Sequence, residues 1–228
     1  MIVQENKNRV PRGFRALVGE RLWAALLGSG VAQHHRPGAH LLHQGERGDH
    51  LFALTNGRVK VLAGDIEGSR LLPSLRAAGD LVGEMAARPD SHRSANVQAL
   101  DHCMSRCLTR ADFDRFLRDH NADGLFRDYL VAKLSETVPY QLQQVHLPPR
   151  HRVARLILET MSLADPDDGN RVTIPFSQEA LATALGLARS TVADQISALR
   201  ACGALGQGPR LVVANDRILA TEARVVTR

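Results

Sequence analysis

The apolar positions in the first half of the chain change their spacing once. Between Phe14 and Leu27 they recur near the period of a helix. From Gly38 to about Leu108 they form short runs separated by glycines and by Asp/Glu pairs. Strand-length runs of this kind are HLLHQG, HLFALTNGRVKVLAG, SRLLPSL and ANVQAL. This pattern predicts a small antiparallel barrel or roll that is preceded by one helix.

The second half of the chain is predicted to be mostly helical. From Thr109 to about residue 145, apolar residues recur at steps of three and four. Part of this stretch forms a narrow seam, typical of a helix that packs on a partner helix. The seam consists of Val131, Leu134, Val138, Leu142 and Val145.

Consecutive prolines at 148 and 149 break the chain after this seam. Beyond them the pattern predicts a helix to about Leu163, a polar loop, a short strand, two helices joined by a tight turn, and a hairpin around residues 206–213. We therefore expect an α+β protein in three parts. They are an N-terminal antiparallel β-roll of the jelly-roll type with flanking helices (1–122), a central dimerisation helix (123–146) and a winged helix-turn-helix (147–228).

Residues 177–201 have the spacing of a helix-turn-helix. Ser177 is placed to cap the first helix, and Gly186 supplies the positive backbone dihedral that the corner requires. The polar side chains of the second helix would then meet base edges in a major groove. These candidates are Arg189, Ser190, Thr191, Asp194 and Gln195. An ordinary helical hairpin with a solvated face has the same spacing and is the alternative.

A second set of charged residues follows the glycines of the predicted roll. Gly83 and Glu84 precede Arg93 and Ser94, which places a carboxylate and a guanidinium at the two ends of a short loop. A cyclic nucleotide needs both groups, because an arginine with nearby backbone amides holds the phosphate and a carboxylate accepts from the ribose. The alternative is a surface ion pair that closes a hairpin, worth only ~0–1 kcal/mol.

Composition narrows the class of protein. The 228 residues are 44% hydrophobic and 23% charged, which excludes a long disordered or collagen-like chain. No apolar run approaches the ~20 residues of a membrane span, and the first residues lack the apolar stretch of a secretion signal. Three cysteines fit a reducing compartment. We expect a cytoplasmic protein without a membrane partner. The net charge of +5, carried mostly by arginine, suits a nucleic-acid partner.

Three other groups of residues have simpler interpretations than a metal site. Cys103 and Cys107, beside His102, lie four apart in a strand-like stretch and are expected to be buried packing. The histidines of residues 34–50 lack a paired acid and are interpreted as surface residues. The aspartates of residues 165–168 lack the glutamate that completes a calcium loop and predict a polar turn. We expect no metal, and no constellation of catalytic residues predicts an enzyme.

The order of roll, long helix and winged helix-turn-helix resembles the Crp/Fnr family of bacterial transcription regulators, which includes the cyclic AMP receptor proteins. The most specific pieces are GERGDHLFALTNGRVKV, GDLVGE followed by RSA at residues 93–95, and SQEALATALGLARSTVADQISAL. Family members are homodimers that bind an effector in the roll and reorient their recognition helices. The resemblance implies three partners: a double-stranded DNA operator, RNA polymerase and a second copy of this chain. It implies cyclic AMP as the effector.

The resemblance also implies an effector site made by both the roll and the central helix. Its residues are Gly83, Glu84, Arg93, Ser94, Lys133 and Thr137. Glu84 would bind the ribose, and Arg93 and Ser94 would bind the cyclic phosphate. Thr137 would meet the amino group of adenine, and Lys133 would lie near the ribose.

The sequence departs from the family pattern at both sites. The loop from 84 to 93 is one residue shorter and contains Arg88, Pro89 and His92, and Val138 replaces a serine that reaches the second nucleotide of the dimer. Pro139 is expected to interrupt and kink the central helix.

In the recognition helix, Ser190 and Asp194 replace a glutamate and an arginine, which predicts a different operator. Two further hypotheses therefore stay open. The first is a DNA-binding regulator whose degenerate or differently tuned roll needs no cyclic nucleotide. The second is a cyclic-nucleotide-controlled enzyme or adaptor.

Overall fold

The computed structural model describes residues 11–64, 70–86 and 91–224, and at residues 70, 73 and 138–146 it describes the backbone alone. The helices are α1 (Gly13–Gly28), α2 (Arg110–Asp119), α3 (Asp123–His146), α4 (Pro149–Ser162), α5 (Gln178–Leu185), α6 (Arg189–Ala201) and α7 (Asp216–Glu222). The strands are β1 (Val31–His35), β2 (His40–Leu42), β3 (His50–Asn56), β4 (Arg58–Gly64), β5 (Arg70–Ala77), β6 (Leu81–Val82), β7 (Asn96–Ala99), β8 (Cys103–Thr109), β9 (Thr173–Ile174) and β10 (Leu211–Val212). A short 3-10 turn covers Glu84–Ala86.

The N-terminal strands of the described chain form two four-stranded antiparallel sheets. Their orders are β1-β8-β3-β6 and β2-β7-β4-β5. Most neighbours in these sheets are distant in sequence, as in a jelly roll. The predicted α+β class is confirmed, with an N-terminal roll, a long central helix and a C-terminal winged helix-turn-helix.

One sheet contains three strands outside the four apolar runs of the sequence, which are β1, β6 and β8. β1 pairs with β8 from Val31 opposite Cys107 to His35 opposite Cys103, and β8 also pairs with β3. Only the cysteine stretch of β8 was identified from sequence as strand-like. Cys103 is buried and Cys107 is half-buried, as predicted for packing residues.

The N-terminal helix packs against α2 and α3 through aromatic side chains. The predicted helix over 14–27 is confirmed as α1, although Gly19 inside it has a non-helical φ of 76°. The Phe14 ring lies 5.5 Å from the ring of Tyr129 and 6.2 Å from that of Phe113, both in edge contacts. Trp23 belongs to the same cluster. These contacts attach the central helix α3 and the helix α2 to α1.

The helical stretch predicted from Thr109 onward is two helices. Asn121, between α2 and α3, has a φ of 49°, a conformation that ends a right-handed helix. α3 then runs through 24 residues to His146, so the expectation that Pro139 interrupts the helix is wrong. A proline removes a single N–H donor, and a long helix can continue past it. The side chains of Val138 and Pro139 lie outside the described ones.

The C-terminal region is a winged helix-turn-helix. The Ser177 hydroxyl accepts a hydrogen bond from the Ala180 N–H at 3.0 Å, and Gly186 has φ 59° and ψ 42°, as the sequence predicts. The predicted hairpin closes where Leu205 bridges Val213, and β10 within it pairs with β9.

This region and the roll share one apolar cluster. Leu62 and Leu75 of the roll pack in it with Ile157 and Leu181 of α4 and α5. The Lys60 ammonium also lies 5.8 Å from the centre of a winged-domain aromatic ring. Because the packing is continuous, the predicted division at residue 147 stays a prediction.

Candidate functional site

A cavity of about 230 Å³ lies between the roll and α3. It brings together the effector residues predicted from sequence, which are Gly83, Glu84, Arg93, Ser94, Lys133 and Thr137. Its other described walls include Leu42, Val61, Ser74, Arg76, Val82, Met85, Val97 and Leu134. Apolar side chains thus surround a few charged and hydroxyl groups, which is the usual composition of a small-molecule site.

Arg93 is held by carbonyl groups of the roll. Its side chain donates from Nη1 to the Gly83 oxygen at 2.8 Å and from Nη2 to the His50 oxygen at 2.5 Å. The residue is only 4% exposed, and burial lowers the pKa of its guanidinium. Both contacts position the guanidinium at the roll end of the cavity, where it could bind an anion with charge-assisted hydrogen bonds.

Position 83 requires a glycine, both because of its backbone conformation and because neighbouring atoms leave no room for a Cβ. Its φ is 88°, in the region that favours glycine. A Cβ at this position would lie 2.8 Å from Nη1 of Arg93 and 2.9 Å from a methyl carbon of Leu42. Any larger residue would therefore displace the guanidinium or the cavity wall.

Glu84 does not form the surface ion pair considered as the alternative. It is 6% exposed, and the ion pairs between described residues do not include one between Glu84 and Arg93. Burial raises the pKa of Glu84 to about 7, although the nearby charges of Arg76 and Lys133 oppose the rise. Near neutral pH the carboxyl group can accept or donate a hydrogen bond.

Lys133 is engaged by two carboxylates. Its Nζ lies 2.8 Å from Oδ1 of Asp80 and 3.0 Å from Oε1 of Glu136. Asp80 is itself buried and also accepts from the Ala77 N–H. The ammonium group therefore links the turn before β6 to α3, and it lines the cavity from that position.

Thr137 lies at the α3 side of the cavity. Its hydroxyl donates to the Leu134 carbonyl oxygen at 2.7 Å, so the lone pairs of the hydroxyl oxygen are left to accept from a ligand.

Arg76 is a cavity residue that the sequence analysis missed. Its Nη1 lies 3.3 Å from Oε2 of Glu136 on α3, and it also donates to the Leu75 carbonyl. Ser74 and Arg76 are two apart on β5 and both line the cavity, as alternate residues of a strand share a face. That alternation was the available signal.

The loop after the 3-10 turn is described only in part. Arg88 and Pro89, two of the residues by which this loop departs from the family pattern, lie outside the described residues. His92, the third, forms an isolated antiparallel β-bridge with Arg47 through the backbone.

The recognition helix α6 leaves its leading face open. Arg189, Ser190 and Asp194 are exposed, and Thr191 and Gln195 are half-buried. The opposite face is buried in the domain core through Val192, Ile196 and Leu199. A polar helix start of this kind can enter a major groove.

The wing beside α6 is held by Arg200. The guanidinium donates to the carbonyl oxygens of Gly206 and Gly208 at 3.2 and 2.5 Å. These bonds fix the hairpin relative to the end of the recognition helix.

The described residues contain no group of three or more His, Cys, Asp or Glu side chains that could hold a metal ion. Among these residues, no helix combines the length and apolar character that crossing a membrane takes.

Two family models match the chain. A cyclic nucleotide-binding domain matches residues 32–120, and a Crp-like helix-turn-helix domain matches residues 151–220. The cAMP-activated global transcriptional regulator CRP of Escherichia coli O6:H1 is 29% identical over 160 residues, which are 67% of this chain and 74% of that protein. A cGMP-dependent protein kinase of Toxoplasma gondii is 32% identical over 114 residues, 50% of this chain and 11% of the kinase.

The fold is also similar to solved structures. A CRP-family transcriptional regulator of Thermus thermophilus superposes with a TM-score of 0.72 at 20% identity, covering 85% of this chain and 97% of that one. At this identity the similarity concerns the fold.

Proposed function

Since the chain belongs to the Crp/Fnr family of transcription regulators, we propose that it is a homodimer whose affinity for a DNA operator is set by a cyclic nucleotide in the cavity between roll and α3. That it is a DNA-binding regulator with a cyclic nucleotide-binding domain follows from the family. We propose three further properties: the identity of the effector, the homodimer, and the coupling between effector binding and operator affinity.

One observation carries this proposal. The cavity is lined by Arg93 and Ser94 of the roll and by Lys133 and Thr137 of α3. A ligand there would touch both elements, so its binding free energy can favour one position of the helix over another. Such a ligand shifts the equilibrium between DNA-competent and DNA-incompetent forms by its difference in affinity for them.

The ligand class follows from the polar groups that line the cavity. Arg93 and Ser94 suit a cyclic phosphate, and Glu84 suits a ribose hydroxyl. Cyclic AMP, the effector that the family resemblance implies, and cyclic GMP share both groups and differ in the base. The names of the similar proteins include one activated by the first and one dependent on the second. The proposed class is a purine cyclic nucleotide.

A second copy of the chain is proposed to cover the exposed face of α3. Val131 and Leu134 are 62% and 52% exposed in the single chain, and they are three residues apart, on one face of the helix. Large apolar side chains at this spacing favour burial against a partner helix. The seam predicted from sequence begins with these two residues.

The recognition helices of the dimer would read an operator, and RNA polymerase is the proposed partner at the promoter. This function needs no catalytic step and belongs in the cytoplasm, where the DNA of a bacterium lies.

The alternative is a regulator that works without a cyclic nucleotide. One observation favours it: Lys133 is occupied by Asp80 and Glu136, whereas the family resemblance places this residue near the ribose. In that case operator affinity would be the same with and without nucleotide.

The test is calorimetric titration of the full chain with cyclic AMP and with cyclic GMP. We expect micromolar binding of at least one nucleotide and a loss of tenfold or more in Arg93→Ala. Arg36→Ala is the matched control, because Arg36 is exposed and outside the cavity. Operator affinity, measured on a sequence selected from random DNA, should change with the nucleotide in the wild type and not in Arg93→Ala. No heat from either nucleotide would favour the alternative.

A further inference from the structure

Glu136 of α3 is bound by two cations that line the effector cavity. One of its carboxylate oxygens lies 3.3 Å from Nη1 of Arg76 on β5, and the other lies 3.0 Å from Nζ of Lys133. The side chain of Glu136 is 49% exposed, whereas those of the two cations are 7% and 8% exposed. One half-exposed carboxylate is thus shared by two buried cations.

The two cations depend on Glu136 to different degrees. Lys133 also has the buried carboxylate of Asp80 at 2.8 Å. Arg76, among the residues that the structure describes, forms an ion pair with Glu136 alone, and it also donates to the carbonyl oxygen of the neighbouring Leu75. The pair of Arg76 and Glu136 therefore joins β5 of the roll to α3, whereas the contact between Lys133 and Glu136 lies within α3.

An anionic ligand meets a group of residues without net positive charge at this wall of the cavity. The charges of Arg76 and Lys133 are matched in number by the carboxylates of Asp80 and Glu136. Glu84, which lines the same cavity and interacts with the charges of this group, adds negative charge whenever it is ionised. The departure of one carboxylate would leave an uncompensated cation near the ligand and so favour the binding of an anion.

Glu136 is the carboxylate that can leave this group at the lowest cost. Asp80 and Glu84 are 1% and 6% exposed, so their carboxyl groups reach water only if the roll itself changes. The side chain of Glu136 already reaches water, and it exchanges an ion pair for hydration at little cost. The N–H groups of the Arg76 guanidinium would then be free for acceptors on the ligand.

We infer that the effector acts on α3 through Glu136: an anionic nucleotide in the cavity displaces this carboxylate from Arg76 and so releases α3 from β5. Glu136 is a positioning residue, because it acts on the cation and not on the ligand. The inference rests on the proposed cyclic-nucleotide function and specifies how its site is coupled to the helix. The nucleotide would bind more tightly to the position of α3 in which the pair is broken, and it would shift the equilibrium toward that position.

The experiment measures nucleotide and operator binding by the full-length variant Glu136→Ala, in which a half-exposed residue is replaced by a strong helix former. The variant lacks the contact that the ligand must break. We therefore expect cyclic AMP or cyclic GMP, whichever binds the wild type more tightly, to gain about threefold or more in affinity. The operator affinity without nucleotide should shift by a similar factor toward that of the nucleotide-loaded wild type. In Glu136→Gln, which keeps an acceptor oxygen without the charge, both shifts should be smaller.

Two controls separate this role from a general effect of charge or stability. Asp128→Ala removes a carboxylate from an exposed position of α3 outside the cavity, and it should leave both affinities unchanged. In the background of Arg76→Met, Glu136→Ala should change the nucleotide affinity much less, because the pair is already absent. A merely structural role of Glu136 would lower stability without strengthening nucleotide binding.

The inference fails if the wild type binds a nucleotide and folded Glu136→Ala binds it equally or more weakly. It also fails if the operator affinity of this variant without nucleotide equals that of the unloaded wild type, or if the full gain in nucleotide affinity persists in the Arg76→Met background. In each of these cases the cyclic-nucleotide function stands. If the folded wild type binds neither nucleotide, the proposed function fails together with the inference.

Discussion

Nη1 of Arg58, on β4 of the roll, lies 2.7 Å from the backbone carbonyl oxygen of Thr160, in the last turn of α4. Carbonyl groups of a last turn have no partner within their own helix, and a cation there also interacts favourably with the helix dipole. Nε of the same guanidinium lies 2.6 Å from Oδ2 of Asp101. One buried side chain of the roll thus caps a helix of the winged domain.

Replacing Arg58 should therefore weaken the contact between the roll and the winged domain. Arg58→Met leaves the Thr160 carbonyl without its donor, and a buried polar group without a partner costs about 1–3 kcal/mol. Urea denaturation should show a lower free energy of unfolding by that amount. Arg47→Met, a change at an exposed arginine, should have little effect. Equal midpoints for the two variants would contradict this role of Arg58.

The buried pair of Lys133 and Asp80 is expected to be sensitive to the loss of one partner. Lys133→Met leaves the Asp80 carboxylate buried without its cation, which costs about 3–5 kcal/mol. The double variant Lys133→Met/Asp80→Asn should recover much of that loss, because no unpaired charge is left. The check is a double-mutant cycle by thermal or urea denaturation, in which additive effects would count against the pair.

The stability of the protein should depend on pH through Glu84. Its pKa is raised from 4.5 to about 7 in the folded state, so between these values the folded chain binds the proton more tightly than the unfolded chain. Stability should fall as pH rises through this window and level off above it. At about 1.4 kcal/mol for each pH unit, the full effect is about 3 kcal/mol.

In the variant Glu84→Gln this part of the pH dependence should disappear. Glu136→Gln, at a half-exposed side chain, serves as the control. Urea midpoints between pH 4.5 and pH 8 measure the effect, and parallel curves for wild type and Glu84→Gln would be inconsistent with it.

Arg189 is expected to contribute to sequence recognition by α6. Arg189→Ala should weaken binding to a selected operator by about 1–3 kcal/mol and relax the base preference at one position. Arg118→Ala removes the same charge from an exposed position on α2 and should leave the preference unchanged. Fluorescence anisotropy with operator and mismatched DNA at several salt concentrations separates the two effects. Equal losses on both DNAs would assign Arg189 to phosphate contacts alone.

A charge on the exposed face of α3 should dissociate the proposed dimer. Val131→Glu places a carboxylate on the apolar face that a second copy is proposed to cover, whereas Leu17→Glu changes an apolar residue of α1 that is also exposed. Sedimentation should show a monomer for the first variant and a dimer for the second. A dimeric Val131→Glu protein would place the interface elsewhere.

The parts of the fold that depend on local signals could be predicted from sequence. The cap at Ser177, the corner at Gly186 and the buried face of α6 each follow from neighbours within one or two helical turns. Strand β1 could not be predicted in this way, because its residues are mostly exposed and its place is set by pairing with β8.

The effector site was predictable only where the family pattern applied. Arg76 was missed although Ser74 and Arg76 alternate with Leu75 and Ala77 along β5. The alternation shows which residues share a face of the strand, but only the folded chain shows that one face lines the cavity and the other packs in the cluster shared with the winged domain. The expectation that Pro139 interrupts α3 was wrong. It considered only the N–H donor that a proline lacks, whereas the helix continues past this residue to His146.

The aromatic cluster of α1 determines what an optical experiment on this protein can observe. Trp23 is the single tryptophan of the chain, and it is 3% exposed in the cluster that attaches α1 to the roll and α3. Its fluorescence should respond to opening of that N-terminal cluster and not to separation of the winged domain. Fluorescence and far-ultraviolet circular dichroism transitions that fail to coincide would therefore reveal stepwise unfolding.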